Sequence, residues 1–390
     1  MKPSSRSIVE PFRAMQIVAE AGKLTKAGKD IVLMCVGQPG APAPTPAREA
    51  ATKAIEVGKI GYTDAAGIGP LRERISQYYQ ERYGVSVNKD YIFVTTGSSA
   101  GFSLTFLAAF DPGDRVVIPS PGYPAYRNIL KSLSLEPVEI ETNAGSNWVI
   151  SPEMLIAEHQ KTPIDGVLIA NPNNPNGTMM MPEDFERLVK VCKEHSITLI
   201  SDEIYHGLTY DKREVTALEF DDDLFVINSF SKYFCMTGWR IGWMIVPENM
   251  VETIERLQQN NFICAPEISQ IAALAAFDGL DEMEEVKQGY LSNRKYVLEE
   301  LKAIGIIEIQ PIDGAFYAYF NVGGLLNTTG CNDSMQLANR ILHEAGVALT
   351  PGIDFDSKRG GDWMRLSFAC EEGQLVEGFS RLKKWLKENA

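Results

Sequence analysis

The chain of 390 residues carries 37 basic and 51 acidic side chains, a formal net charge of −14, which is the wrong sign for a nucleic-acid binder or a protein held on anionic membranes. Its 45% apolar and 23% charged residues are ordinary globular usage, which excludes wholesale disorder, and the length is too great for a single small binding module. No apolar run approaches the roughly 18 to 20 residues that span a bilayer, and the start MKPSSRSIVEPFRAMQ lacks the apolar core of a signal peptide, so a soluble cytoplasmic protein is expected. The six cysteines are scattered with no CxxC spacing and read as reduced, buried residues, and the four histidines have no metal-like spacing; no metal is expected.

In chain order, the proline-rich residues 39–46 (PGAPAPTP) read as a connector. Residues 91–95 (YIFVT) are short, β-branched and aromatic, and they lead through Gly97 into a long apolar stretch, giving strand, turn, helix. Further apolar runs follow at 115–118 (RVVI), 166–170 (GVLIA), 197–200 (ITLI) and 224–227 (LFVI), most of them separated by amphipathic stretches such as 182–195. Runs that are apolar almost throughout suit a sheet covered on both faces, so a doubly wound α/β domain is expected over 46–287. Residues 281–304 form a charged helical pattern, and 315–320 (AFYAYF) and 363–368 (WMRLSF) read as strands of a smaller α+β unit. That unit is expected to join residues 1–45 to 288–390.

Ligands of open α/β sheets bind beyond the carboxyl ends of the strands, and five such ends carry polar residues. After the first strand, Gly97 permits close backbone approach while Ser98 and Ser99 bring hydroxyls to a helix start; they either cradle a phosphate or simply cap the helix. Neither a GxGxxG nor a P-loop pattern is present, which disfavours a dinucleotide or ATP. The segment PSPGYPAY (119–126) supplies Tyr123, for core packing or for stacking on a flat ligand. In NPNNPNG (171–177), Asn174 is either part of a turn or an amide held toward a ligand by its prolines. SDEIY (201–205) puts Asp202 at a buried strand end, where a carboxylate needs a cation or strong donors unless it is a helix cap, with Tyr205 about one turn on and Glu203 expected to face solvent or a partner subunit. SFSK (229–232) places Lys232 just past a buried strand, where desolvation makes it a nucleophile if it is not at the surface, and Arg240 adds a planar fork suited to phosphate.

The combination of NPNNPNG, SDEIY and SFSKYFCMTGWRIGW, in this order and spacing along nearly the whole chain, resembles the class I aminotransferases, fold-type I pyridoxal-phosphate enzymes of the aspartate-aminotransferase-like branch. The resemblance implies a mostly parallel seven-stranded sheet covered by helices, plus a small α+β domain. It implies pyridoxal 5′-phosphate as cofactor, attached at Lys232, with Asp202 on its ring nitrogen, Asn174 and Tyr205 on its phenolic oxygen, and Tyr123 stacked on the ring. Gly97, Ser98, Ser99, Ser229 and Arg240 match phosphate-holding positions. Tyr62 matches a tyrosine that reaches the phosphate of the neighbouring subunit, which makes the enzyme a homodimer with shared sites. Gly37 and Arg365 match substrate contacts, Arg365 to the α-carboxylate; alternation in WMRLSF puts Arg365 and Ser367 on one face, with an exposed edge position as the alternative.

The expected reaction moves the amino group of an L-amino acid to a 2-oxo acid in ping-pong fashion. Some aspartate-specific relatives carry a lysine where this chain has Ser99, which points away from acidic donors and toward neutral or aromatic ones, with Phe12, Tyr62 and Phe262 as candidates for the side-chain pocket. A cysteine-S-conjugate β-lyase uses almost the same constellation. A non-catalytic sensor attached to a DNA-binding domain is disfavoured by the acidic balance and by the early start of the pattern.

Overall fold

The computed structural model describes residues 1–389. Its strands are β1 (Val32–Leu33), β2 (Ile92–Thr95), β3 (Arg115–Ser120), β4 (Glu136–Glu141), β5 (Gly166–Ala170), β6 (Thr198–Asp202), β7 (Phe225–Ser229), β8 (Gly242–Ile245), β9 (Tyr317–Asn321), β10 (Val347–Ala348), β11 (Thr350–Pro351) and β12 (Trp363–Ser367). Seven of them form one sheet in the order β2-β8-β7-β6-β5-β3-β4. Only β8 runs against its neighbours; the other pairs are parallel.

The sheet has a core on each face, and successive residues alternate between them. Val167 and Ile169 of β5 pack into one apolar cluster, while Leu168 and Ala170 pack into the other. The same division separates Val226 from Phe225 and Ile227 in β7. Burial on both faces is why these strands read as continuous apolar runs rather than alternating ones. Two strands escaped the sequence pattern. The edge strand β4 (EPVEIE) mixes charge and proline into its run, and β8 (GWMI) is only four residues long.

The remaining strands make a three-stranded antiparallel sheet, β11-β12-β9, and a parallel pair, β1-β10. The second pair joins the two ends of the chain. The helix Arg13–Lys26 is fastened to the same region, because Asp354 accepts from the amides of Arg13 at 3.0 Å and Ala14 at 2.7 Å, which are unpaired donors at the helix start. Residues 39–46 run between the sheets, and their last two residues open the helix Thr45–Val57. The charged pattern at 281–304 folds as the helix Leu280–Ala303. Among the described residues, no helix is long and apolar enough to cross a membrane.

Because β2, β3, β5, β6 and β7 all run the same way, their exits gather along one edge of the sheet. The entrance to the reversed strand β8 lies on that edge too. Gly242 begins β8 so close to its neighbours that an added Cβ would lie 2.8 Å from the Asn228 carbonyl oxygen and 3.1 Å from the Ser98 nitrogen, both backbone atoms. Gly242→Ala is therefore expected to destabilise the protein by about 1 to 3 kcal/mol, read as a lower urea midpoint.

Candidate active site

A cavity of about 330 Å³ opens on this edge and is lined by residues from both halves of the fold, including Phe12, Gly37, Tyr123, Asn174, Lys232 and Arg365. Ser98, Ser99, Asp202, Tyr205 and Arg240 also line it. The strand-end residues singled out in the sequence are thus brought to one place.

Asp202 ends β6 and is 2% exposed. Its carboxylate accepts from the Tyr126 hydroxyl and, at 3.0 Å, from the Ile204 amide. No basic side chain pairs with it among the described residues. Burial pushes its pKa up to about 6, although both hydrogen bonds and the nearby His206 oppose the rise. An anion desolvated in this way is short of one cationic partner.

Lys232 follows β7 and donates to the Gly37 carbonyl at 2.6 Å. Burial, with Arg365 and Arg240 beside it, lowers its pKa to about 8, while Asp202 pulls the other way. A substantial fraction of the amine is therefore neutral, and nucleophilic, slightly above neutral pH. Its Nζ lies 5.9 Å from the centre of the Tyr205 ring.

Ser98 and Ser99 occupy the first turn of the helix Ser98–Ala109. No side chain caps it; Gly97 stands at the cap with φ of 73°, a backbone conformation glycine adopts without strain. A Cβ there would lie 2.5 Å from Arg240 Nη2, so the guanidinium packs directly over the turn. Helix-start amides, two hydroxyls and a guanidinium make an anion site. Ser229 is more deeply set: its hydroxyl donates to the Ile241 carbonyl at 3.0 Å and lies 2.9 Å from Ser231 Oγ, and it is Ser231 that lines the cavity.

Arg365, on β12, is 5% exposed rather than an edge residue facing solvent. It donates to Asn174 Oδ1 at 2.9 Å and to the Cys35 carbonyl at 3.0 Å, and its Nε has no partner. The guanidinium is sandwiched by aromatic rings, 4.3 Å from the centre of Tyr317 and 4.7 Å from that of Phe355. No carboxylate pairs with it among the described residues, so a buried cation without a counter-charge lines the cavity.

Three placements differ from the sequence reading or lie outside this cavity. Glu203 does not face solvent or a partner: it is fully buried, accepting from Ser201, Thr216 and the Ala217 amide at 3.1, 2.9 and 2.9 Å. Just past a strand covered on both faces, its side chain has only the interior to enter and finds three donors there. Tyr62 is 83% exposed, and neither it nor Phe262 lines the cavity of its own chain. Phe12 does, with its ring edge-on to Tyr123 at 6.0 Å.

Two site residues were not foreseen. Tyr126 holds Asp202, and Tyr317 bonds the Tyr205 hydroxyl at 3.0 Å while lying under Arg365. In sequence both look like aromatic packing. The one signal for Tyr126 is its spacing three residues after Tyr123, which puts both on the same side of the helix start.

One sheet edge thus gathers a desolvated carboxylate, a lysine of lowered pKa and two separate guanidinium groups around a single cavity. Residues 29–382 match the aminotransferase class I and II family, and the chain belongs to it. It is similar to the valine–pyruvate aminotransferase of Mycobacterium tuberculosis, at 42% identity over 98% of this chain and 97% of that one. The crystal structure of an aminotransferase from the same organism superposes with a TM-score of 0.95 at 41% identity over all of both chains. Aspartate aminotransferase from Thermus thermophilus with maleate gives 0.91 at 29% identity, covering 98% and 99%. The chain is an aminotransferase.

The buried Asp202 carboxylate has a consequence for stability. Its pKa is raised from 3.8 to about 6 in the folded state, so the unfolded chain holds fewer protons between those values and the native state loses stability as pH rises through that window. Above it the charge opposes folding in full. Asp202→Asn is expected to stabilise the cofactor-free protein by about 1 to 3 kcal/mol at pH near 8, with a smaller gain near pH 4, measured by urea denaturation.

Proposed function

We propose that the protein binds pyridoxal 5′-phosphate and transfers the amino group of an L-amino acid to a 2-oxo acid by a ping-pong route. The reading is carried by Asp202 and Lys232, a buried anion without a cation and a depressed amine facing one cavity. The residues present suit this cofactor. The phosphate suits Gly97, Ser98, Ser99 and Arg240, with Ser231 rather than the more deeply set Ser229 at the cavity wall, and the ring suits the face of Tyr123. The ring nitrogen, when protonated, supplies the cation that Asp202 lacks; Asn174 and Tyr205 suit the phenolic oxygen. The cofactor supplies an electron sink for the charge left by a broken Cα–H bond.

Lys232 would hold the cofactor, and its amine, neutral in a substantial fraction, is the base placed to take the Cα proton and give it back. Arg365 takes the substrate α-carboxylate, with its guanidinium oriented by Asn174 and the Cys35 carbonyl and the Gly37 backbone alongside. Charge is thus held at both ends of the substrate's reacting carbon, and the burial of Arg365 strengthens its hold.

Of the walls left over, Phe12, Met15, Val18 and Val36 are apolar, and Gln38 and Thr237 are polar but uncharged. The cations lining the cavity are Lys232, Arg240 and Arg365, each with a task already. We therefore favour a donor with a neutral apolar side chain, a choice in line with the name of the M. tuberculosis relative. The exposed Tyr62 lies near further exposed apolar residues, Ile55, Val57 and Ile60, and the Gly61 amide is bonded to Glu267 at 2.6 Å. We read this face as the contact of a homodimer in which Tyr62 serves the neighbouring site. The six unpaired cysteines suit a reducing cytoplasm. We divide the chain into a cofactor domain, 46–287, and a small domain from 1–45 and 288–390.

Borohydride reduction with pyridoxal 5′-phosphate present is expected to fix the cofactor on Lys232, read by peptide mass; a label on another lysine overturns the assignment. Lys232→Ala should fold normally and lose transamination by at least about 1,000-fold. Arg365→Lys should raise KM for the amino acid about 10- to 100-fold with a smaller fall in kcat, because a point charge replaces a fork.

A further inference from the structure

A single tyrosine touches three groups of the cofactor and substrate site. Tyr317 opens β9, is 1% exposed and lines the cavity. Its hydroxyl lies 3.0 Å from the Tyr205 hydroxyl, and the two rings stand nearly perpendicular with centres 5.8 Å apart. The centre of its ring is 4.3 Å from the carbon of the Arg365 guanidinium. On its third side the hydroxyl presses on the backbone of Gly37. A Cβ added to Gly37 would lie 2.5 Å from the Tyr317 oxygen but 3.4 Å from the ring carbon that bears it, an ordinary contact. The Gly37 carbonyl is in turn the acceptor for Lys232.

These contacts leave the hydroxyl little freedom. Among the described residues Tyr205 is its only hydrogen-bond partner. Each of the two hydroxyls has one proton to give. Once Tyr205 gives its proton to the phenolic oxygen of the cofactor, the contact between the tyrosines survives only with Tyr317 as donor and the Tyr205 oxygen as acceptor. Burial pushes the Tyr317 pKa up, with the charge of Arg365 opposing, so that proton is kept at neutral pH. Two hydroxyls in series donate more strongly to a negative oxygen than one alone, because each polarises the next.

We propose that Tyr317 is a positioning residue: its hydroxyl, wedged between Gly37 and Tyr205, fixes the direction in which Tyr205 donates, and its ring supports the guanidinium of Arg365. The two halves of one side chain thus serve different ligands, the hydroxyl the cofactor and the ring the substrate carboxylate. The wedge also gives residue 37 its reason to lack a side chain. The role toward Tyr205 rests on the cofactor reading, whereas the wedge does not, and the two are tested separately.

The wedge is tested in cofactor-free protein. Gly37→Ala is expected to lower the urea midpoint in the native background and to lower it less than half as much in a Tyr317→Phe background, where the clashing oxygen is gone. Equal losses in both backgrounds overturn the wedge. The positioning role is read from the absorbance of the loaded enzyme. Tyr317→Phe keeps the ring but weakens the hold on the negative phenolic oxygen, so the proton beside that oxygen is kept to higher pH. The pH midpoint of the visible cofactor band is expected to rise by about half a unit to one unit. A midpoint that stays in place in a folded, cofactor-loaded variant overturns the role toward Tyr205. Tyr317→Leu removes the ring as well and is expected to raise KM for the amino acid about 5- to 30-fold above that of Tyr317→Phe; equal KM values overturn the support of Arg365. Absence of any visible band in the unsubstituted protein overturns the cofactor reading and the role toward Tyr205 with it, and the wedge is then judged by the urea midpoints alone.

Discussion

A guanidinium buried without a carboxylate is the constraint around which this molecule is arranged. Arg365 is held only by neutral oxygens, the Asn174 side chain and the Cys35 carbonyl, and by two aromatic faces. These partners belong to three distant parts of the chain: the N-terminal segment, the exit of β5 and the antiparallel C-terminal sheet. Neutral partners orient the charge without cancelling it, so its affinity for an anion is kept in reserve. A carboxylate in the same place would have stabilised the fold and filled the site. Asp202 is the mirror case, an anion supported by a hydroxyl and an amide but by no cation. The native state thus carries two desolvated charges of opposite sign, each left unpaired by its own fold, and the rest of the structure must supply enough burial to tolerate both.

Much of this is legible in the amino-acid sequence, and the reasons are specific. The strands β2, β3, β5, β6 and β7 are β-branched or aliphatic runs because two cores press on them, one per face. Their exits therefore marked the functional edge, and Asp202, Asn174 and Lys232 stood out as polar residues at the ends of apolar runs. Where only one face is pressed, or the run is short, the signal fails; β4 and β8 are the examples. Glu203 was misread for the converse reason, since a strand covered on both sides has no outward face to give it. Tyr126 and Tyr317 stayed hidden because an aromatic ring in a core looks the same whether or not its hydroxyl has a partner. Their roles depend on register between elements far apart in sequence, which no local pattern records.

The polar cluster of Glu203, Glu214, Arg82, Tyr83 and His206 extends the same logic one layer deeper. The cavity is lined by groups with unmet electrostatic needs, while behind it every carboxylate oxygen of Glu203 and Glu214 is in reach of a donor. Reactive groups in front are held still by saturated groups behind. Rigid support of this kind preserves catalytic geometry when the reacting side chains themselves exchange partners.

The reversed strand β8 has an effect that its four residues would not suggest. A parallel strand presents its exit to the functional edge and sends the chain away through a long crossover, whereas a reversed strand presents its entrance. The chain therefore leaves β7 at Ser229, stays at the rim through Lys232 and Arg240, and re-enters the sheet at Gly242 without ever crossing the molecule. Two of the three cations of the cavity are carried on one short hairpin whose ends are both clamped by the same ladder. An added position between Lys232 and Arg240 would therefore slide one cation along the rim relative to the other.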